Sequence, residues 1–254
     1  MSVSRGELMV ACAAREIRDG ERVFVGMRLP LIAFVVAKRT HAPNAVGLFE
    51  LGLVRDDPAR ELLYTMGDPP NVSGAVWCAR TIDLMGLLQR GYVQAGFIGG
   101  AEIDVHGNLN TTAIGPDRAR PTVQLPGSGG GADIASLAER LIVIMPHDRR
   151  RLREKVDFVT SPGYGTGGDW RKRKGLPRGG PSVLITTLGV FRFVDGSAVL
   201  SSHHPGVSVD RIRAETGWPL RVAADLRETE PPSAEILAIV REYDPKGFWT
   251  RRGE

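Results

Sequence analysis

Residues 45–53 form the stretch that most restricts what this chain can fold into. They are uncharged and mostly apolar, with the single exception of Glu50. A run of this length after Ala42-Pro43-Asn44 predicts one buried strand of a parallel sheet, because such strands are apolar on both faces. An ionised carboxylate is costly to bury, so we expect Glu50 at the carboxyl end of the strand, where open α/β sheets bind ligands. An exposed turn or a structural ion pair is the alternative interpretation.

The segments before this stretch alternate between helix and strand. Ser4 and Glu7 have the spacing of a capping box, which predicts a helix over 4–19, and this is followed by a strand at 22–27 and a helix at 31–39. The alternation predicts an α/β fold with an open, mainly parallel sheet flanked by helices in three α/β/α layers. Because the 254 residues contain no internal repeat and no low-complexity linker, we expect a single domain over residues 1–254.

The remaining chain predicts further elements, and its glycine- and proline-rich segments predict loops. Asp195-Gly196 between apolar runs is typical of a hairpin. The predicted segments are a loop at 56–76, a helix at 81–89 capped by Thr81, strands at 93–98 and 141–145, a helix ending at 138, a mobile loop at 163–180, a hairpin within 182–201, a helix after Ser208, a strand at 220–223 and a helix from Ser233 to Tyr243.

The positive charge of the chain is concentrated in two runs. The net charge is +4, and the basic residues cluster at 149–153 and 171–178. Such clusters can attract a polyphosphate ligand or nucleic acid. Trp170 is the aromatic residue that adjoins them, which does not make a stacking platform for single strands, so we expect no nucleic-acid partner. A solvated basic loop is the first expectation and an anionic small ligand the second.

Membrane, metal and redox functions find little support in the composition. No apolar run approaches the length of about 18–20 residues that spans a membrane, so we expect no membrane partner. Charged Glu7, Arg15 and Glu16 near the amino terminus argue against a secretory signal. Two cysteines without a CxxC pair, and a His203-His204 pair whose side chains would point to opposite faces of a strand, predict no disulfide framework and no metal site. A reducing cytoplasm is the expected compartment.

Residues 127–132 form a glycine loop that has two possible functions. Gly-Ser-Gly-Gly-Gly-Ala fits the dinucleotide pattern G-x-G-x-x-G/A, with Asp148 about twenty residues after Gly129. Pro126 breaks the preceding stretch, however, and the loop lies in the middle of the chain. Consecutive glycines at a helix start also let backbone N–H groups approach developing negative charge, as in an oxyanion hole beside Glu50. A tight turn that contacts no ligand is the third interpretation.

Taken together, these motifs resemble the B subunits of family I coenzyme A transferases, of the glutaconate CoA-transferase type. The resemblance covers nearly the whole chain, and many blocks in one order are more specific than any single motif. The blocks are 25–26 with 29–32, 36–39, Glu50-x-Gly52-Leu53, 98–104 with Gly107-Asn108-x-Asn110, 127–130 and 157–163.

The resemblance implies a mechanism, in which the glutamate matching Glu50 is the nucleophile and becomes a glutamyl-CoA thioester. Gly129, Gly130 and Gly131 are the candidates for oxyanion or CoA-binding roles. Coenzyme A is expected as a substrate, with no other cofactor or metal. The expected partners are an acyl-CoA, a carboxylic acid and a homologous A subunit in a heterodimer or higher heteromer. Phe49-Glu50-Leu51-Gly52 departs from the Ser-Glu-Asn-Gly of many members, which leaves the identity of the acids open.

Three alternatives remain at the level of the sequence. Relatives with the same fold hydrolyse CoA thioesters, cleave C–C bonds in ring degradation or decarboxylate. The glycine loop alone would suit a dinucleotide-dependent oxidoreductase. A non-catalytic sensor of CoA esters is the third alternative, although it would have no reason to keep a lone carboxylate at Glu50.

Overall fold

The structure is a computed structural model that describes residues 3–176 and 178–251. The chain divides into two compact units. The first unit contains Met1–Phe97 and Glu230–Glu254, and the second contains Ile98–Thr229. That all 254 residues form one CoA-transferase-like domain stays a prediction.

Helices and strands alternate along most of the chain. The helices are α1 (Arg5–Ala14), α2 (Leu29–Arg39), α3 (Pro69–Val72), α4 (Thr81–Gln89), α5 (Gly131–Leu137), α6 (Trp170–Arg173), α7 (Val209–Ala214) and α8 (Ala234–Tyr243). The strands are β1 (Arg22–Phe24), β2 (Val46–Phe49), β3 (Leu53–Arg55), β4 (Trp77–Cys78), β5 (Ala95–Ile98), β6 (Glu102–Ile103), β7 (Leu109–Asn110), β8 (Ala113–Ile114), β9 (Val123–Gln124), β10 (Arg140–Ile144), β11 (Pro181–Ile185), β12 (Gly189–Val194), β13 (Ser197–His203) and β14 (Arg221–Glu228).

In the first unit, the strand order is β5-β1-β2-β3-β4. β1 pairs in parallel with both β5 and β2, whereas β2, β3 and β4 pair antiparallel in sequence. Helices α1, α2 and α8 pack against one another. The predicted capping box is present, because Ser4 Oγ accepts from Glu7 N–H and the Glu7 carboxylate accepts from Ser4 N–H. Glu7 is buried and pairs with Arg241 of α8, whose Nε lies 2.7 Å from Oε1 of Glu7.

In the second unit, the strand order is β10-β11-β12-β13-β14. β10 pairs in parallel with β11 and β13 with β14, while β12 is antiparallel to both of its neighbours. The predicted hairpin turns at Asp195-Gly196, where both residues have positive φ values of 51° and 72°. The two-stranded pairs β6–β7 and β8–β9 lie outside this order.

The predicted α/β class is confirmed. Parallel pairs connected through helices lie within each unit, and antiparallel strands extend them. Several predicted elements are too long, since the helix predicted over 4–19 ends at Ala14 and the strand predicted over 22–27 ends at Phe24. Thr81 is the first residue of its helix, and Arg80 is the cap. Within the described ranges, no helix has both the length and the apolar character needed to cross a membrane.

The prediction of one continuous strand over 45–53 is wrong. β2 ends at Phe49, residues 50–52 turn, and β3 returns antiparallel beside β2, with Phe49 opposite Leu53. Gly52 makes the reversal possible, because it has a φ of +105° and its N–H donates to the carbonyl of Phe49 at 2.9 Å.

The loop prediction at 163–180 is confirmed for most of the described part of this segment, whereas its mobility stays a prediction. This segment contains α6, and Arg171 within it is only 6% exposed. Its guanidinium donates to five backbone carbonyls that belong to three different segments. The acceptors are the carbonyls of Ala135, Ser136, Pro162, Gly163 and Arg178. The basic run therefore contains a side chain that anchors the chain instead of a fully solvated set of charges.

A second buried arginine anchors the predicted loop at 56–76. Arg55, at the end of β3, is 3% exposed. It donates to the carbonyls of Asp57, Asn71 and Ser73 at 2.8, 2.6 and 2.7 Å. The loop prediction is confirmed for most of this segment, with α3 as its one short helix.

Candidate active site

Glu50 is the first residue of the tight turn between β2 and β3. Phe49 before it is 1% exposed and packs edge-to-face on Phe34, with ring centroids 6.4 Å apart. Leu51 after it is 57% exposed, and Glu50 itself is half-buried. The backbone of a buried strand thus delivers the Glu50 side chain to a partly exposed position. This agrees with the expectation that Glu50 lies at the carboxyl end of a parallel strand, since it directly follows β2, which pairs in parallel with β1.

Gly52 fixes the geometry of this turn from the other side. A Cβ atom at this position would lie 2.1 Å from the carbonyl oxygen of Ala79, and the N–H of Ala79 donates to the carbonyl of Gly52 at 2.8 Å. The turn is therefore pressed against the chain that leads from β4 into α4. Only glycine suits both this contact and the positive φ.

The carboxyl end of β1 lies at the same edge of the sheet as that of β2. Phe24 is opposite Leu48 in the parallel register, and the N–H of Val25 donates to the carbonyl of Leu48 at 2.8 Å. Residues 25–28 then lead into the amino end of α2, and Arg28 before that helix has an unusual φ of +68°. Non-glycine residues rarely adopt this conformation, which marks the entry to α2 as a constrained part of the edge.

The glycine loop lies in the second unit. Gly127 is tied to Thr111 by two hydrogen bonds, and the N–H of Gly131 donates to the carbonyl of Ser128 at 2.8 Å. Gly129 is exposed, has a φ of +48°, and donates no backbone hydrogen bond to any residue in 3–176 or 178–251. Gly130 is buried and precedes the first residue of α5. The three predicted glycines thus occupy one loop, while Glu50 lies in the turn of the first unit.

The dinucleotide interpretation of this loop lacks its structural context. That fingerprint requires a strand of a parallel βαβ unit directly before the glycines. Here the preceding strand is β9, which has two residues and pairs antiparallel with β8. The helix after the glycines, α5, has seven residues.

Ser161 lies directly beside the glycine loop. A Cβ atom on Gly131 would be 3.2 Å from Oγ of Ser161. Ser161 is 1% exposed, and its hydroxyl has no hydrogen-bond partner among the residues that the structure describes. A buried hydroxyl without a partner is costly and uncommon, so this contact is a feature that sequence patterns do not predict.

The second unit also contains a basic cleft of about 1220 Å³. Its lining includes Arg149, Arg150, Arg153 and Lys155 of the segment 149–156. Residues from 104–108 and 165–170, including Trp170, also line it. The first basic run of the sequence therefore lines a cavity, whereas the second run supplies Arg171 as an anchor.

A buried polar network holds the wall of the cleft that residues 104–108 and 165–170 form. The Asp104 carboxylate accepts from the N–H of His106 and from both the backbone and the side chain of Asn108. Asn108 Oδ1 also accepts from the N–H groups of Gly163 and Gly165. Burial raises the pKa of Asp104, and these hydrogen bonds oppose that shift. The expectation that Asp104 is a turn-bonding residue agrees with these contacts.

The two histidines considered as ligand neighbours differ in environment. His106 lines the cleft and its Nδ1 lies 2.8 Å from the carbonyl of Gly196. His147 is buried between Thr186 and Thr216, with ring nitrogens 3.0 and 3.2 Å from their hydroxyls. Burial lowers the pKa of His147 to about 4, so this ring is neutral at pH 7. Throughout the described ranges, no group of three or more His, Cys, Asp or Glu residues could hold a metal ion.

Comparisons with known proteins find similarity over most of the chain. The family model described as coenzyme A transferase matches residues 7–215. The chain is 36% identical over 246 residues to the B subunit of 3-oxoadipate CoA-transferase from Pseudomonas knackmussii, covering 96% of this chain and 94% of the relative. It is 34% identical over 249 residues to the B subunit of glutaconate CoA-transferase from Acidaminococcus fermentans, covering 94% and 92%.

Solved structures match over the same extent. The crystal structure of glutaconate coenzyme A-transferase from Acidaminococcus fermentans superposes with a TM-score of 0.91 at 31% identity, covering 98% of both chains. The decarboxylase AibA/AibB superposes with a TM-score of 0.85 at 30% identity, covering 97% of both chains.

Proposed function

The chain belongs to the coenzyme A transferase family, and on this premise we propose that it is a B-type subunit that moves CoA between an acyl-CoA and a carboxylic acid. Glu50 is the nucleophile and carries CoA as a glutamyl-CoA thioester. The proposal depends above all on the placement of Glu50, half-buried on a rigid turn directly after a buried parallel strand.

The placement suits a carboxylate that must attack. Phe49 and Gly52 fix the backbone on both sides of Glu50, so that little conformational freedom is lost when its oxygen approaches a thioester carbonyl. A side chain that is only half-buried retains contact with solvent and is open to a substrate. A purely structural carboxylate such as Glu7 is buried more deeply, since its side chain is only 1% exposed.

The exchange proceeds by covalent catalysis. An oxygen of Glu50 attacks the thioester carbonyl, the C–S bond breaks, and a mixed anhydride and CoA thiolate result. The thiolate attacks the glutamyl carbonyl of the anhydride, the donor acid leaves as a carboxylate, and glutamyl-CoA remains. The acceptor carboxylate then reverses these steps, so the overall charge is conserved and ping-pong kinetics are expected.

The glycine loop supplies backbone N–H groups to oxygen atoms that gain negative charge, or to CoA. Gly129, Gly130 and Gly131 are the proposed residues. Gly129 is the first choice because its N–H makes no hydrogen bond to another described residue, whereas that of Gly131 already donates to Ser128. Removal of one such donor typically lowers kcat by about 100-fold or more.

The proposed partner is a homologous A subunit, in a heterodimer or a higher heteromer. Two relatives that cover more than nine-tenths of this chain are named as B subunits, which supports this assignment. Coenzyme A is a substrate, and we expect the reaction to need no further cofactor. Cys12 and Cys78 form no disulfide with a described residue, and Cys78 is exposed, which supports the proposed location in a reducing cytoplasm.

The test is exchange activity of the chain co-purified with its A subunit. Glu50→Gln should lower kcat by about 1,000-fold or more, because an amide cannot form the thioester. Glu235→Gln is the matched control, since this glutamate is exposed in the first turn of α8. Incubation with a panel of acyl-CoAs followed by borohydride reduction and peptide mass spectrometry should locate the modification at Glu50.

Two outcomes would reject the proposal. A near-normal exchange rate in Glu50→Gln would remove Glu50 from the mechanism. Consumption of an acyl-CoA by the wild-type complex without an acceptor acid, and without modification of Glu50, would favour the hydrolase or C–C bond-cleaving alternative.

A further inference from the structure

We propose that Thr111 is a positioning residue for the reaction, which fixes the glycine loop through a hydrogen bond from its hydroxyl to the carbonyl of Gly127. The inference rests on the proposed function, in which backbone N–H groups of this loop stabilise an oxygen atom that gains negative charge. Thr111 acts through the loop, and no contact with the substrate is assigned to it.

Thr111 holds the first residue of the loop at two points. Its Oγ1 donates to the carbonyl of Gly127 at 2.7 Å, and the N–H of Gly127 donates to the carbonyl of Thr111 at 2.8 Å. Gly127 has a φ of +96°, and no atom of the described residues lies within 4 Å of the place that its Cβ would take. Because packing contributes little on that side, the two hydrogen bonds to Thr111 set the direction in which the loop begins.

Thr111 is itself held by the chain at Thr160. The N–H of Thr111 donates to Oγ1 of Thr160 at 2.9 Å, and the same oxygen lies 2.8 Å from Oγ1 of Thr112. The N–H of Thr160 donates to the carbonyl of Leu109 at 2.8 Å. The hydroxyl that contacts Gly127 therefore belongs to a residue whose own backbone is fixed, which is what a precise functional loop requires of its support.

The other end of the loop lies against the next residue of the same segment. Oγ of Ser161 would lie 3.2 Å from a Cβ on Gly131, and the backbone of Ser161 is tied to Leu109 by hydrogen bonds of 2.9 and 3.1 Å. Thr160, through Thr111, and Ser161 thus support the two ends of the loop. Gly129 between them is exposed, and its N–H donates to no described residue.

The position of such a loop matters more for the transition state than for binding. An N–H group stabilises an oxyanion when it lies about 2.7–3.1 Å from the place where the charge develops. A displacement of about 1 Å can cost about 100-fold in rate. Since the charge is absent from the bound substrate, a loosened loop should lower kcat and leave KM unchanged.

The experiment uses the complex with its A subunit and three variants. Thr111→Val keeps the shape of the side chain without its hydroxyl, and Thr111→Ser keeps the hydroxyl. Thr40→Val is the matched control, because Thr40 is also half-buried and its Oγ1 donates to the carbonyl of Val36 at 2.7 Å, at the end of α2 in the first unit. Initial rates of acyl-CoA consumption give kcat and KM, and thermal denaturation gives the stability. If Thr111→Val does not assemble with the A subunit, Thr111→Ala removes the same hydroxyl and takes its place.

Thr111→Val should lower kcat by about 10-fold or more, with the KM for acyl-CoA and for the acid unchanged. Thr111→Ser should return kcat to that of the wild type, and Thr40→Val should lower stability as much as Thr111→Val without lowering kcat. An unchanged kcat in Thr111→Val would overturn the inference, and so would a rise in KM alone. An equal loss of kcat in Thr40→Val would also overturn it, because reduced stability would then explain both losses.

The same assay separates this inference from the proposed function. Glu50→Gln tests the nucleophile, whereas the comparison of Thr111→Val with the wild type tests the support of the loop. A complex that hydrolyses acyl-CoA without transfer still gives a kcat for this comparison. If Glu50→Gln remains active while Thr111→Val loses activity, the proposed function fails and the role of Thr111 stands.

Discussion

The turn that carries Glu50 and the wall of the basic cleft are held in place by different forces. Beneath the turn, Phe49 and Phe34 pack edge-to-face in an apolar interior. Behind the cleft wall, Asp104, Asn108 and Arg171 form hydrogen bonds to one another or to backbone groups of several segments. The turn is stabilised by buried apolar contact area. The cleft wall is stabilised by hydrogen bonds between buried polar groups.

This difference determines how each region responds to a substitution. An apolar contact loses free energy in proportion to the atoms removed. A buried polar network loses more, because removal of one member leaves its partners without hydrogen bonds in a poorly solvated interior. We therefore expect the cleft wall to be more sensitive to single substitutions and to pH than the turn.

The largest loss of stability should distinguish the hydrogen-bonded cleft wall from the apolar turn. Arg171→Leu should lower the free energy of unfolding by about 4 kcal/mol, since five carbonyls lose their donor. Phe49→Leu keeps an apolar side chain of similar size and should cost about 1 kcal/mol. Chemical denaturation of both variants gives the two values, and equal losses would contradict the distinction.

The next largest loss of stability is expected at Gly52, in the turn after Glu50, in comparison with Gly127 in the glycine loop. Gly52→Ala should cost about 3 kcal/mol, because the new Cβ meets Ala79 at 2.1 Å in addition to the strain of positive φ. Gly127→Ala has a similar φ of +96° but no atom within 4 Å of the new Cβ, so that it should cost about 1 kcal/mol. If both substitutions cost the same in thermal or chemical denaturation, the crowding at Gly52 has no energetic role.

The second unit should also respond to pH through His147, a buried polar side chain that does not line the cleft. The pKa of His147 is lowered by burial from 6.5 to about 4, so the unfolded chain binds more protons between these values. Stability contributed by the neutral ring is therefore complete above pH 6.5 and is lost as the pH falls toward 4. From pH 7 to pH 5 this group should lower the free energy of unfolding by about 2 kcal/mol.

The control for this pH effect is a pair of histidine variants. His147→Gln should flatten the change in stability between pH 7 and pH 5, whereas His203→Gln, on a half-buried strand position, should leave it as in the wild type. An unchanged slope in His147→Gln would show that other groups cause the response.

The smallest effect has the opposite sign. Ser161→Ala removes a buried hydroxyl that has no partner among the described residues, so it should raise the free energy of unfolding by about 1 kcal/mol. Gly131→Ala places a Cβ 3.2 Å from that hydroxyl and should cost less in the Ser161→Ala background than in the wild type. A double-mutant cycle measures this coupling, and additive effects would mean that the two residues do not interact.

Local chemistry was predictable from the sequence. Ser4 and Glu7 form the expected capping box, the helices expected after Ser208 and from Ser233 are present, and Asp195-Gly196 forms the expected hairpin turn. Each of these signals depends on residues close together in the chain. The α/β class followed from the same kind of local alternation.

Features that depend on distant residues were not predictable. The turn at 50–52 requires glycine because of Ala79, which lies far along the chain. The burial of Arg171 depends on carbonyls from residues 135–136 and 162–163, and no pattern in a basic, glycine-rich run indicates those acceptors. The cleft likewise combines four separate segments, so only its positive charge was visible in the sequence.

The position of Trp170 has a spectroscopic consequence. Its ring lies against Gly165 on one side and borders the cleft on the other, in a half-buried environment. Indole emission moves to shorter wavelength when water leaves the ring, and the other tryptophans, at 77, 218 and 249, do not line this cavity. A ligand that fills the cleft should therefore shift the emission maximum of Trp170 to shorter wavelength. Intrinsic tryptophan fluorescence would then report whether the cleft is occupied.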